Sequence, residues 1–453
     1  MVEKVSSRIV YNNYNTISRV INKVDATPSK PVSLPSFTAA EIIPMYQTST
    51  SPIRTELTST KEKNEYKEIL SHLDRKTKKT VETLLKNGVL LNSNSNDKST
   101  VLDNLYKIVT EKRADGLDAK NILKDTIATI AYPYVITQQF GDIPRKYMDS
   151  VIQANSEDEN QNNKSDVNVE HSGTCVAAST EFKLAKQMPA EFARFAQELS
   201  SPKMSVEKKI ELDNLADDTL SSVWLLNAFE IPYEMKDFKA ATLKFAPDKN
   251  AIIRAKIQTT DKDPYERTPL DVLMQSTFMQ VGSQQSYNTL TDKRAGKFNQ
   301  NEKGLIEFEK TFTESVVFDK NILSVTYQTV DENARLVGYE TDMETLKKHL
   351  TQTLDAGENI LIGYTQVNEN NIIINGHEIT MVGYNKSPDG KLTFICNDTD
   401  DSISRPIEYP EDYLLPKIHH AALPKEIVEK DLNIIPSWVE GIEMYKQMKK
   451  QAA

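Results

Sequence analysis

The chain has 453 residues, 38% of them hydrophobic and 26% charged, with a net charge of −10 and a pI near 5.4. Such an acidic chain lacks the basic face that nucleic acid or an anionic membrane rewards, so neither is expected as a partner. Two cysteines cannot make a disulfide framework, and no apolar run is long enough to span a membrane. The N-terminus has no apolar core of signal-peptide type, so the expected location is the cytoplasm, or secretion without a classical signal.

Residues 1–60 are rich in Ser, Thr, Pro and Asn and read as a flexible, disordered arm, with one short helix expected near Tyr14 to Val24. Residues 61–150 read as a small helical domain. Tyr66, Ile69, Leu70 and Leu73 follow helical spacing, Val81, Leu84 and Leu85 continue it, and Gly88 is a stop. Leu102, Leu105, Tyr106 and Val109 make a second apolar face, and Ile122, Ile127 and Ile130 a third. Residues 151–166 read as a linker, because SEDENQNNKSD contains no apolar residue.

From Cys175 the pattern is helical, with a break or restart at Pro189, and residues 205–230 are expected to be helical too. The run from Pro269 has a helical front half. The last third changes character. NILSVTYQTV alternates as a strand does; Leu346, Leu350 and Leu354 share a helical face that ends at Gly357. ENILIGYTQV, two pieces of NNIIINGHEITMVGYN with a turn at Asn-Gly, and KLTFICND after a turn at SPDG read as strands. Helices followed by a strand-rich, antiparallel region predict an α+β fold.

The chemistry concentrates in three places. Cys175, in HSGTCVAAST, stands where a helix begins, and the free N–H groups of a helix start favour a thiolate and can face an oxyanion. Of six histidines, His377 lies in a strand-forming segment, where a general base is held rigidly. Asn397 ends the following strand and Asp398 comes next; either is within reach of an imidazole on a neighbouring strand.

In this order, GTCVAAS, HEITMVGY and FICND resemble the motifs of papain-like cysteine proteases around their cysteine, histidine and asparagine. Gly376–His377 and VGSQQSYNTL, 281–290, are similar to the calpain branch. The resemblance covers roughly residues 165–425, in patches. It implies a two-lobed catalytic domain over 167–425, a helical lobe plus an antiparallel β-sheet lobe, followed by a C-terminal helical extension over 426–453. It further implies a thiol protease, with Cys175 as nucleophile, His377 as base and later acid, and Asn397 as orienting residue, with Asp398 its alternative. A peptide or protein would be the substrate, with no metal and no cofactor.

The sequence departs from the family's pattern at several points. Val169 stands where the family has an oxyanion-holding glutamine, and Asn168 beside it is the substitute candidate. Val176 replaces an aromatic, and Asp398, Thr399 and Asp400 stand where a shielding tryptophan is usual. The long stretch between Cys175 and His377 implies an insertion. His171 reads as an exposed loop residue and Cys396 as core packing. His419–His420 lack neighbouring ligands at metal spacing, and NDTDDS, from Asn397, lacks the glycine and glutamate of a calcium loop. The helical domain preceding the catalytic part is expected to be autoinhibitory or partner-binding. The same constellation would serve a thiol-dependent acyl transferase or deamidase of transglutaminase type, or persist in a non-catalytic binding protein on a papain-like frame.

Overall fold

The computed structural model describes residues 53–141, 143–157, 173–211, 241–260, 266–283, 285–294, 304–305, 307–400 and 404–428. The arm up to 52 with its expected short helix, the polar stretch from 158, Asn168, Val169, His171 and the extension beyond 428 lie outside these residues.

The N-terminal part is built from capped amphipathic helices. In α1 (Thr60–Ser71) and α3 (Val101–Thr110), Ser59 and Thr100 form capping boxes with Glu62 and Asp103. The single helix expected across 66–85 is two. Asp74 accepts the Thr77 N–H and starts a separate helix, α2 (Arg75–Lys86), which Gly88 follows at φ +74°. Asp118 caps α4 (Ala119–Ala131) in the same way. The linker expected from 151 is helical at its start, as α5 (Met148–Glu157).

Cys175 opens α6 (Cys175–Gln187), and Pro189 starts α7 (Pro189–Leu199) at a first-turn position that needs no N–H. The helix expected over 205–230 is a strand at its front. β1 (Val206–Ile210) alternates buried and exposed residues and pairs antiparallel with β2 (Ala241–Phe245). That period of two is why VEKKI folds as it does. Helices α8 (Ala251–Thr260), α9 (Pro269–Gly282) and α10 (Glu307–Phe318) complete this half, with a small β3–β4 pair (Tyr287–Asn288, Lys293–Arg294). One continuous apolar cluster runs from Ile69 and Leu105 through Phe182, Phe192 and Phe195 to Phe278 and Val317. The helices before residue 135 therefore share their core with the helix of Cys175. Each fully buried side chain of this size contributes about 1.5–3 kcal/mol.

The second half is a six-stranded antiparallel sheet in the order β11-β10-β9-β8-β12-β5, with an apolar core of its own around Leu346, Ile362 and Phe394. Its strands are β5 (Ile322–Thr326), β8 (Ile360–Val367), β9 (Ile373–Lys386), β10 (Leu392–Asn397), β11 (Ile407–Pro410) and β12 (Ile418–Pro424). A β6–β7 hairpin (Gln328–Val330, Leu336–Tyr339) leaves the sheet, and α11 (Met343–Asp355) packs on it through Leu346 and Leu350. The turn expected at Asn375–Gly376 is absent. Both residues lie within β9, opposite Gln366 and Thr365, and the chain reverses instead at Asn368–Asn371, where Asn371 takes φ +59°. The fold is thus α+β, with helices in one half and an antiparallel sheet in the other. Among the described residues no helix is long and apolar enough to cross a membrane.

Candidate active site

Helix α6 packs its start against β9, and this brings Cys175 to His377 from opposite halves of the molecule. The Cys175 thiol lies near enough to the imidazole to favour its charged form. On its other side the ring meets a carboxylate: Nε2 of His377 lies 2.7 Å from Oδ1 of Asp398. Asp398 takes up Nε2, which leaves Nδ1 as the nitrogen for sulfur. His377 and Asp398 each keep 12% of their side-chain surface exposed, so the pair is largely shielded from water yet reachable.

The strand geometry explains why Asp398, and not Asn397, meets the ring. Asn397 is the last residue of β10 and is opposite Thr380 of β9; it is buried, and its Nδ2 has no hydrogen-bond partner among the described residues. A register shift between Ile395 and Cys396 precedes it. Asp398 is the first residue released from the ladder, so its side chain is free to turn toward His377. Its Oδ1 also accepts the Asp400 N–H, which fixes the carboxylate. Cys396 is fully buried and its thiol is pushed up by burial and by Asp398, as suits a packing residue.

Burial disfavours the charged form of His377. The Asp398 carboxylate and the nearby Cys175 outweigh it, and the ring's pKa stands well above the ordinary histidine value. A carboxylate and a sulfur on either side of one ring thus favour imidazolium. Tyr364, opposite His377 on β8, sets its ring edge-on to the imidazole with centroids 5.8 Å apart. An aromatic ring thus lies against the histidine from the neighbouring strand.

The approach to the cysteine is held from several sides. Asp292 accepts the Gly173 N–H at 2.6 Å and the Tyr287 hydroxyl at 2.7 Å, which gives the 281–290 segment a structural role beside the site. Thr174 does not cap α6 with its side chain; its hydroxyl donates to Gln275 Oε1 at 2.9 Å. Thr174 thus leaves the first-turn N–H groups of α6 without a cap from its own side chain. Gln275 in turn donates to the Thr137 carbonyl and to Glu181, a carboxyl that burial and Asp271 hold well above its usual range.

Those contacts bring in a group that the sequence reading missed. Residues 137–139 run beside both the start of α6 and the strand end that carries Asp398. The Gln138 N–H donates to the Thr399 carbonyl at 2.9 Å, and Thr399 returns its hydroxyl to Gln138 Oε1. Gln139 Nε2 donates to the carbonyl and side chain of Asp400. A glutamine therefore borders the site, but from far upstream and not from the residues just before Cys175. The only sequence signal was a Gln-Gln pair between an apolar run and a glycine, outside the window where a glutamine was sought.

The remaining titratable groups lie behind the site. Glu378 follows His377 on β9 and pairs with Lys310 of α10 at 2.9 Å and with His420 at 3.4 Å. His419 and His420 face one another through Nδ1 atoms at 2.9 Å, and the His420 ring packs over Gly363 so closely that any Cβ there would collide with it. Among the described residues no cluster of three or more His, Cys, Asp or Glu is arranged to hold a metal. Comparisons of the chain with protein-family models, with curated proteins and with solved structures found no match.

Proposed function

We propose that the protein is a papain-like thiol hydrolase, most simply a cysteine peptidase, working through Cys175, His377 and Asp398. The observation that carries this reading is the single imidazole that Asp398 engages at Nε2 and that the Cys175 thiol is near enough to influence. A positive ring beside a sulfur favours the thiolate, the form that attacks a carbonyl carbon. The carbonyl oxygen would become an oxyanion, with the first-turn N–H of Cys175 as a donor. His377 then gives its proton to the leaving nitrogen and a thioester forms. In the second half-reaction His377 takes a proton from water, whose oxygen attacks the thioester and frees the acid. Asp398 holds the ring's tautomer and stabilises its charge throughout.

Attack by an amine instead of water would make the same site an acyl transferase, and a glutamine side chain as substrate would make it a deamidase. Digestion of a peptide library by the full chain tests the reading. Cleaved backbone bonds that are lost in Cys175→Ala support a peptidase. Ammonia released without chain cleavage would replace peptidase by deamidase, and no reaction of any kind would favour a binding protein on this frame.

A further inference from the structure

The residue just before Cys175 is held by a buried amide from another helix. Gln275 of α9 and Thr174 are both 0% exposed. The Thr174 hydroxyl donates to Gln275 Oε1 at 2.9 Å, and Gln275 Nε2 donates to the Thr137 carbonyl at 2.9 Å and to Glu181 Oε2 at 3.1 Å. A carbonyl can only accept, so the amide nitrogen must face Thr137 and the amide oxygen must face Thr174, whose hydroxyl is thereby made the donor. Thr137 in turn sends its own hydroxyl to the Thr399 carbonyl at 3.2 Å, where the Gln138 N–H also arrives at 2.9 Å. Gln275 and Thr137 thus connect the residue before the thiol to the residue after Asp398.

Thr174 is diverted from the role its position invites. At α1 to α4, α9 and α11 the residue before the first turn is extended, with ψ between 121° and 169°, and its side chain accepts a first-turn N–H. Thr174 instead stands at φ −92° and ψ 17°, and its hydroxyl makes no such bond. Threonine is a good capping residue, and a cap from it would engage one of the N–H groups that favour a thiolate at a helix start. Gln275, with both N–H groups and its oxygen engaged in a buried interior, is a rigid anchor for the uncapped conformation.

We propose that Gln275 is a positioning residue for Cys175: it holds the Thr174 hydroxyl away from the start of α6 and sets the place of the thiol relative to His377 and Asp398. The proposal rests on the thiol-hydrolase function above and adds to it the residue that seats the nucleophile. Gln275 acts through Thr174, one peptide unit from Cys175, while Thr137 and Thr399 carry the same hold to the acid side of the site. Burial first, and then Asp271, hold the Glu181 carboxyl well above its usual range, with Arg267 opposing them, so the amide meets a carboxyl that favours its neutral form.

The test is alkylation of Cys175 by iodoacetamide in the full chain, followed by mass spectrometry as a function of pH. Gln275→Met should slow labelling at neutral pH by about tenfold or more and move its rise to more alkaline pH, because a misplaced thiol loses part of its help toward ionisation. Thr174→Val breaks the same bond from the other side and should do the same, while Thr174→Ser, which keeps the hydroxyl, should recover most of the rate. A residue that only stabilised the fold would lower the melting temperature and leave the pH profile in place. An unshifted profile in Gln275→Met and Thr174→Val would overturn the proposal, as would Thr174→Ser losing as much as Thr174→Val. The two Thr174 variants decide the matter if Gln275→Met does not fold. Wild-type labelling no faster than that of a free thiol would instead remove the thiol hydrolase, and the positioning role with it.

Discussion

Oδ1 of Asp398 accepts Nε2 of His377 at 2.7 Å, and this one bond joins the end of β10 to the middle of β9 at the point where α6 delivers Cys175. It divides two neighbouring residues into different roles. Asp398→Ala should lower turnover by about 10²–10⁴-fold, since the ring loses both its tautomer lock and its charge partner. Asn397→Ala should leave the rate at Cys175 nearly intact and cost stability instead. Steady-state kinetics and denaturant unfolding on both variants separate the two; the opposite ranking of rates would make Asn397 the orienting residue.

The pH dependence follows from the raised pKa of His377. The reactive form needs a charged ring, so activity should persist well above pH 6.5, the ordinary histidine value, and fall only as the ring's folded-state pKa is passed. Stability has the same sign. A ring that binds its proton more tightly when folded contributes its full share below about pH 6.5, and loses it as pH rises through the folded pKa. The stability gap between wild type and Asp398→Ala should accordingly shrink at alkaline pH. A gap that widened there would contradict the charge assignment.

Gln138 and Gln139 tie the upstream segment to the loop that carries Asp398. Gln138→Ala and Gln139→Ala should each lower kcat by loosening that loop, with a smaller loss than Asp398→Ala. A loss in either variant as large as that of Asp398→Ala would contradict a supporting role.

Behind the site, Lys310→Met would strand the buried carboxylate of Glu378 among His377, His419 and His420 without its ammonium partner. A broken buried pair costs about 3–5 kcal/mol, because the leftover charge has no water to turn to. Urea unfolding measures it, and Lys310→Met combined with Glu378→Gln should recover most of the loss.

Much of this was legible in the sequence because it rests on local pattern. Apolar spacing located the helices around Ile69, Leu105 and Leu346, Gly88 marked the end of α2, Pro189 marked the break between α6 and α7, and alternation in KLTFICND marked β10. What misled was local pattern overruled by neighbours. Asn375–Gly376 has turn chemistry, yet cross-strand pairing with Gln366 and Thr365 keeps β9 straight through it. VEKKI sits in a stretch with helical composition but has a strand to pair with in β2. At the site, Cys175 and His377 were readable as residues in the right order. The choice of Asp398 over Asn397 depends on a strand end and a register shift, and Gln138 on a long-range docking that no spacing rule encodes.

The most direct test of the central claim is the rate at which a thiol-directed epoxide or iodoacetamide labels Cys175 at neutral pH, read by mass spectrometry, with buried Cys396 as the internal control. An activated pair predicts labelling at Cys175 well above the rate of a free cysteine thiol, and a large loss of that rate in His377→Ala. Labelling no faster than a free thiol, and unchanged in His377→Ala, would contradict the catalytic reading.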